Sequence, residues 1–269
     1  MVSRSAGNQL TCRWYMPNGA PFECLFWLYM EKYMHVDRLR YELQLMGKRV
    51  ILTPILVMLG FAAFAGLLAY LHVMPARFLS GGLEMILPLS AGVIVATIIS
   101  HDPAVELQLT MPRKYDVTGM RRLGLIAAWT AIIAVLSSLV ISLLQLTFEP
   151  AQLKSWSAPL QLLANQLTWL APLLWLVAVG LCLAMLTRSR SASGAIMCGI
   201  WLIEILFKDY FANTAWLKPV FLFPSTLTPG IDFWLTNRIE VIVIALVLLP
   251  PGWLLLRNPE GLLKGLGEE

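Results

Sequence analysis

The chain has 269 residues, of which 58% are hydrophobic and only 13% are charged, and its mean hydropathy is +0.71. Soluble domains carry roughly a quarter of charged residues, so this composition excludes an ordinary soluble protein and predicts an all-α integral membrane protein with a single helical bundle. The net charge of +4 is small, and the basic residues lie beside apolar stretches. Nucleic acid is therefore not an expected partner.

The first 49 residues divide into a polar tail, residues 1–21, and an amphipathic stretch, residues 22–49. The tail has no apolar core of the kind found in a signal peptide. In the second stretch apolar residues recur every three or four positions, at Phe26, Tyr29, Tyr33, Val36, Leu39, Leu43 and Met46. This pattern predicts a helix lying in the membrane interface, with a soluble helix packed on a partner as the alternative.

Six apolar segments follow, and each is long enough, or nearly so, to cross a hydrocarbon core of about 30 Å. Together they predict a six-helix transmembrane domain over residues 50–256, followed by a C-terminal tail, residues 257–269. The predicted spans are residues 50–71, 83–100, 123–146, 162–186, 191–207 and 240–256.

Basic residues alternate in number between successive loops, and this asymmetry predicts the orientation. The richer loops hold Arg38, Arg40, Lys48 and Arg49, then Arg113, Lys114, Arg121 and Arg122, then Arg188 and Arg190, then Arg257 and Lys264. The opposite loops hold Arg77, Lys154, Lys208, Lys218 and Arg238. Since cytoplasmic loops carry the excess of Lys and Arg, both termini are predicted to be cytoplasmic.

The cytoplasmic segment 101–122 carries a helix-start signal and a basic cluster. Asp102 is a suitable N-cap, and Pro103 suits the first helical position, where its missing N–H costs nothing. Pro112 ends the predicted helix. A short helix between two membrane spans is suited to docking a soluble partner.

On the opposite side, residues 208–238 form a long segment rich in aromatic residues and prolines. It is too polar and too interrupted to span the bilayer. The pattern is typical of a broken or re-entrant segment, with a plain aromatic loop at the outer surface as the alternative.

These features together resemble the permease subunit of ABC-2 type transporters, a family of six-helix exporters. The resemblance rests on the amphipathic helix before span one, on the E-L-x-L-x-x-P sequence at residues 106–112 with its basic cluster, and on the interrupted outer segment before span six. It extends over nearly the whole chain after residue 22; the first twenty residues depart from the family pattern.

The resemblance implies partners as well as a fold. Such permeases form homodimers or heterodimers and bind two separate ATPase subunits, which carry the ATP and Mg²⁺, in a bacterial cytoplasmic membrane. It also implies that residues 22–49 act as a cytoplasmic connecting helix and that the cytoplasmic helix between spans two and three is a coupling helix. The implied ATPase contacts are Asp102, Pro103, Glu106, Leu107 and Pro112.

Two carboxylates lie within predicted spans, Glu84 near the start of the second and Glu204 near the end of the fifth. Both are near the predicted outer surface, where headgroups and water could solvate them; a role in substrate exit or in a polar contact between helices is the alternative. Asn165 and Gln166 could join the same polar patch.

Catalysis has little support in the sequence. The three histidines and four cysteines show no metal-ligand spacing, and neither GxxxxGK[ST] nor G-x-S-x-G occurs. We therefore expect a non-catalytic subunit without a bound cofactor. A non-transporting membrane scaffold and a secondary transporter remain alternative functions.

Overall fold

The computed structural model of the chain describes residues 47–48, 50–100, 115–146, 152–153 and 156–257. These residues contain helices and no β-strand, which confirms the all-α prediction for this part of the chain. They belong to one compact unit, Met46–Glu269. The predictions for the N-terminal tail, for nearly all of the amphipathic helix, for the cytoplasmic helix and for residues 258–269 lie outside the described residues.

The described residues form nine helices. A 3-10 turn, Lys218–Val220, precedes the shortest of them. In chain order the helices are α1 (Val50–Tyr70), α2 (Ala76–Ser100), α3 (Tyr115–Leu143), α4 (Ala158–Asn165), α5 (Leu167–Thr187), α6 (Arg190–Leu206), α7 (Lys208–Asn213), α8 (Pro224–Leu227) and α9 (Trp234–Leu256).

Within the described ranges, five helices are long and apolar enough to cross a membrane: α1, α2, α3, the α4–α5 pair over Ala158–Thr187, and α9. They identify the chain as a membrane protein. The remaining predicted span, residues 191–207, corresponds to α6, which has 17 residues. At about 1.5 Å per residue α6 is about 26 Å long, shorter than a hydrocarbon core of about 30 Å. The sixth crossing stays a prediction.

Four of the described spans begin earlier than the sequence predicts, among them α3 at Tyr115 instead of residue 123 and the α4–α5 pair at Ala158 instead of residue 162. Helix α2 begins at Ala76 instead of residue 83, and α9 begins at Trp234 instead of residue 240. The added turn of α9 contains Asn237 and Arg238, polar groups that are costly in lipid and were therefore assigned to a loop. In the structure protein surrounds them, so that cost does not apply.

Helix α5 packs most extensively against α2 and α9. Glycines allow the close approach to α2, because a Cβ built on Gly180 would lie 2.5 Å from the carbonyl oxygen of Gly92. On the other side, a Cβ on Gly252 of α9 would lie 2.6 Å from Leu181. Small residues at such contacts let helix backbones approach closely inside a membrane.

Helices α1 and α3 contribute much of the exposed apolar surface of this unit. Leu56, Leu59 and Leu67 of α1 and Leu136 and Leu139 of α3 are all exposed. In a bilayer such surfaces contact lipid chains. The buried core instead lies around α2, α5 and α9, and this is where the polar residues of the next section are found.

Candidate functional site: a buried polar cluster

Five polar side chains are buried together inside the helical unit, and we call them the polar cluster: Glu84, Glu204, Ser225, Asn237 and Arg238. Glu84, Asn237 and Arg238 are 0% exposed, Glu204 is 1% exposed and Ser225 is 2% exposed. Ionisable groups are rare inside membrane helices and are usually paired or functional. The cluster is therefore the candidate site of this protein.

Three helices and one irregular segment bring the cluster together. Glu84 lies in a π-helical turn of α2, Gly82–Ile86. Glu204 lies near the end of α6, and Asn237 and Arg238 lie in the first turns of α9. Ser225 belongs to the stretch between Lys218 and Thr228, which we call the inserted segment and which contains the 3-10 turn and α8.

Glu84 accepts hydrogen bonds from one end of the inserted segment. Its Oε1 accepts from the backbone N–H of Ser225 at 3.2 Å, and its Oε2 accepts from that of Thr226 at 2.8 Å and from the Thr226 hydroxyl. The Nη2 of Arg238 forms a buried salt bridge with Glu84. The carboxylate thus holds two backbone amides while it is paired with one cation.

Arg238 connects Glu84 with the middle of the inserted segment. Its Nη1 donates to the carbonyl of Leu222 at 2.7 Å, and its Nη2 also donates to the Ser225 hydroxyl oxygen at 2.9 Å. The same hydroxyl oxygen accepts from Nε1 of Trp234 at 2.7 Å. One guanidinium therefore links a carboxylate, a carbonyl and a hydroxyl group.

Two further side chains hold the peptide unit between Phe221 and Leu222 from opposite sides. Glu204 Oε2 accepts from the N–H of Leu222 at 2.9 Å, and Asn237 Nδ2 donates to the carbonyl of Phe221 at 2.9 Å. Asn237 Nδ2 also donates to the carbonyl of Lys218 at 2.6 Å. The N–H and C=O of a trans peptide point in opposite directions within its plane. Both polar groups of this peptide unit are therefore hydrogen-bonded, one on each side.

The polar cluster is needed because the backbone of the inserted segment is irregular. An irregular segment inside a membrane protein is tolerated only where protein or a water-filled cavity satisfies its N–H and C=O groups. In the inserted segment the polar cluster does this, and Arg77 of α2 adds bonds to the carbonyls of Thr226 and Leu227. The charged groups are thus used for backbone hydrogen bonds and for one ion pair.

The structure corrects the expectation for the two carboxylates. Glu84 and Glu204 were expected to be solvated by headgroups and water near the outer surface; the expected solvation is wrong, because both side chains are buried in protein. The alternative, a polar contact between helices, describes Glu84, which pairs with Arg238 of α9, whereas Glu204 bonds to Leu222 of the inserted segment. They and Arg238 converge on the inserted segment.

Sequence reasoning missed Arg238, which it treated as a loop charge. The available signal was charge complementarity, because two carboxylates in apolar spans require a cation and Arg238 directly precedes the last apolar run. Asn237 has no comparable signal in the sequence. Its role depends on two carbonyls whose position only the fold determines.

Asn165 and Gln166 do not join the cluster. Gln166 contacts Ser138 of α3 and Trp169 of α5, and Asn165 accepts from the hydroxyl of Thr168. These bonds surround the α4–α5 junction. The expectation of one shared polar patch is wrong.

The residues predicted to contact an ATPase all lie in the stretch 101–114, outside the described residues. The structure therefore does not test Asp102, Pro103, Glu106, Leu107 or Pro112. In the ranges that are described, no group of three or more His, Cys, Asp or Glu side chains is arranged to hold a metal ion.

Replacing Asn237 by alanine tests the bonds at the 218–221 end of the inserted segment. We expect the free energy of unfolding to fall by about 1–3 kcal/mol, because the buried carbonyl of Phe221 loses its donor and that of Lys218 keeps only the N–H of Phe221. Alanine is the better helix former, so helix propensity opposes the loss. Denaturant titration of the purified chain in micelles measures the change. Thr236→Ala, at the exposed neighbouring position, is the control; an equal effect of both changes would contradict this role of Asn237.

No protein family model, no curated protein and no solved structure matches this chain significantly. The resemblance indicated by the sequence pattern therefore stays a prediction. The function has to be argued from the residues and from their arrangement.

Proposed function

We propose that this chain is the permease subunit of an ABC-2 type exporter, a multi-pass protein of the cytoplasmic membrane with both termini in the cytoplasm. The observation that carries the proposal is the broken stretch between α6 and α9. It divides into α7, the 3-10 turn and α8, and its residues Phe221–Phe223 are buried against the helices. An interrupted segment before the last span is one of the features on which the resemblance rests.

The proposed mechanism takes its energy from another protein. The sequence has no GxxxxGK[ST] with which to bind nucleotide phosphates, so ATP and Mg²⁺ belong to partner ATPase subunits. Their closure on ATP would move the cytoplasmic helix of residues 101–112 and tilt the bundle between two accessible states. ATP shifts this equilibrium only because the partner binds it more tightly in one of the two states.

Co-purification tests the proposal directly. We expect an ATPase subunit to be isolated with the tagged chain from native membranes. Glu106→Arg should reduce its recovery about tenfold, which corresponds to the loss of roughly 1.4 kcal/mol of binding energy. Asp209→Arg is the matched control, because Asp209 is an exposed carboxylate on the side predicted to be external.

Two results would overturn the proposal. One is ATPase association that survives Glu106→Arg combined with polar replacement of the apolar face of residues 22–49. The other is labelling of cysteines introduced in residues 101–122 by a membrane-impermeant reagent added outside intact cells.

A secondary transporter is the second candidate, and the polar cluster is the observation that favours it. Buried ionisable residues in membrane spans often mark ion pathways. Against it, Glu84 and Arg238 already bond to each other and to the inserted segment. Transport by the purified chain alone in vesicles, without ATPase, would favour this candidate over the exporter subunit.

A further inference from the structure

Arg238 is the cation of the polar cluster, and it is paired with only one of the two carboxylates of the cluster. Arg238 bonds to Glu84 and to the carbonyl of Leu222, and Glu204 accepts from the N–H of the same Leu222. Leu222 therefore connects Arg238 and Glu204 through its C=O and N–H groups. Glu204 is thus a second carboxylate with which the guanidinium of Arg238 could pair in place of Glu84.

The unused atoms of the cluster are complementary. Arg238 Nε and Glu204 Oε1 are buried and have no hydrogen-bond partner among the described residues. A buried polar atom without a partner costs about 1–3 kcal/mol. Both side chains bond to Leu222. If Arg238 moved toward Glu204, its Nε could donate to Glu204 Oε1, and both atoms would then have a partner.

Either pairing leaves each carboxylate with backbone donors. Immediately after the exchange, Glu84 would still hold the N–H groups of Ser225 and Thr226 but would have no cation, and Glu204 would hold that of Leu222. The Glu84 charge would then be buried without a cation, which is unfavourable unless water reaches it. Ser225 and Thr226 of the inserted segment would therefore become accessible to water, whereas the N–H of Leu222 would stay bonded to Glu204.

The π-helical turn that carries Glu84 offers a route for this opening. A π turn contains one residue more than an α-helical turn, and such turns are frequent at functional sites. Return of residues 82–86 to α-helical geometry would rotate the helix on one side of the turn by about 100° relative to the other. That rotation would move Glu84 away from Ser225 and Thr226.

We propose that Arg238 exchanges between Glu84 and Glu204, and that this exchange is a latch which opens the Ser225–Thr226 end of the inserted segment. The latch belongs to this chain alone and does not depend on the proposed exporter function. A buried ion pair is weak support for stability by itself. Because Glu204 competes with Glu84 for Arg238, the ion pair can control whether the Ser225–Thr226 end is closed or open.

Amide hydrogen exchange of the full chain in lipid nanodiscs tests the latch. In the unmodified protein we expect the N–H groups of Ser225 and Thr226 to exchange at least about tenfold faster than those of the buried α5 residues Leu176 and Val177, since local opening needs less free energy than global unfolding. We also expect the N–H of Leu222 to exchange more slowly than those of Ser225 and Thr226. Exchange of all these amides at one common rate would overturn the proposal.

The variant Glu204→Gln distinguishes the latch from a static brace, that is, from a cluster in which Arg238 stays on Glu84 and only stabilises the fold. Glutamine can still accept from the N–H of Leu222, but it no longer attracts the guanidinium as a charged partner. The latch predicts that Ser225 and Thr226 then exchange about tenfold more slowly, because Arg238 stays on Glu84. A static brace predicts unchanged or faster exchange, and that result overturns the proposal. Glu240→Gln, a partly exposed position on α9, is the matched control and should leave both rates unchanged.

Discussion

Arg238→Gln is expected to lower the free energy of unfolding by about 3–5 kcal/mol, the cost of leaving one member of a buried ion pair without its partner. The change removes the cation of Glu84 and also a donor to the carbonyl of Leu222. Tryptophan fluorescence of the chain, which has ten tryptophans, reports the unfolding transition in a denaturant titration. The expected result is a large shift of the midpoint or failure to accumulate folded protein.

The reason for this expectation can be tested with two further variants. In the double variant Glu84→Gln and Arg238→Gln neither member of this ion pair is left charged without its partner, so at least half of the lost stability should return. Arg257→Gln removes an arginine of which 51% is exposed and whose Nε lies 3.6 Å from Asp116. Although Asp116 is only 6% exposed, the guanidinium of Arg257 is half exposed to solvent, so we expect a smaller loss than at the fully buried Arg238. If Arg238→Gln were no more harmful than Arg257→Gln, the polar cluster would not stabilise the fold.

Gly180→Val is expected to destabilise the bundle by about 3 kcal/mol, the upper part of the usual range for overpacking. The added Cβ would lie 2.5 Å from the backbone oxygen of Gly92. A backbone atom cannot rotate away as the end of a side chain can, so α2 and α5 have to separate. Because these two helices carry much of the core, we expect a lower melting temperature and a smaller yield of folded protein.

Gly199→Val is the matched control for this change. Gly199 also lies inside a helix, and nothing lies within 4 Å of the position of its Cβ. Valine at that position should change the free energy of unfolding by less than about 1 kcal/mol. Equal losses at both sites would show that the helix contact at Gly180 is not the cause.

The polar cluster explains how a broken segment can exist inside this membrane protein. A lipid-exposed break would leave N–H and C=O groups unbonded at a cost of several kcal/mol each. Here Glu84, Glu204, Asn237 and Arg238 supply the missing donors and acceptors. In the proposed permease, the inserted segment would be a movable part near the predicted outer surface, since its bonds are made by side chains that can rotate.

Several features could be predicted from the sequence because they depend on local composition. Uninterrupted apolar runs of about 20 residues predict membrane helices wherever they occur, and the five long apolar helices confirm this for most of the predicted spans. The interruption before α9 could also be predicted, because prolines and polar residues divide an otherwise apolar stretch. The carboxylates Glu84 and Glu204 were found by their position in apolar spans.

Other features depend on which helices become neighbours, and no local pattern contains that information. The sequence by itself determined that this is a helical membrane protein with an unusual break before its last span. Only the tertiary structure decided that Glu84 and Arg238, 154 positions apart, meet in one buried cluster around Leu222 and Ser225. The physical reason is that a charge inside a membrane is tolerated according to its partners, and partners so distant along the chain are brought together only by helix packing.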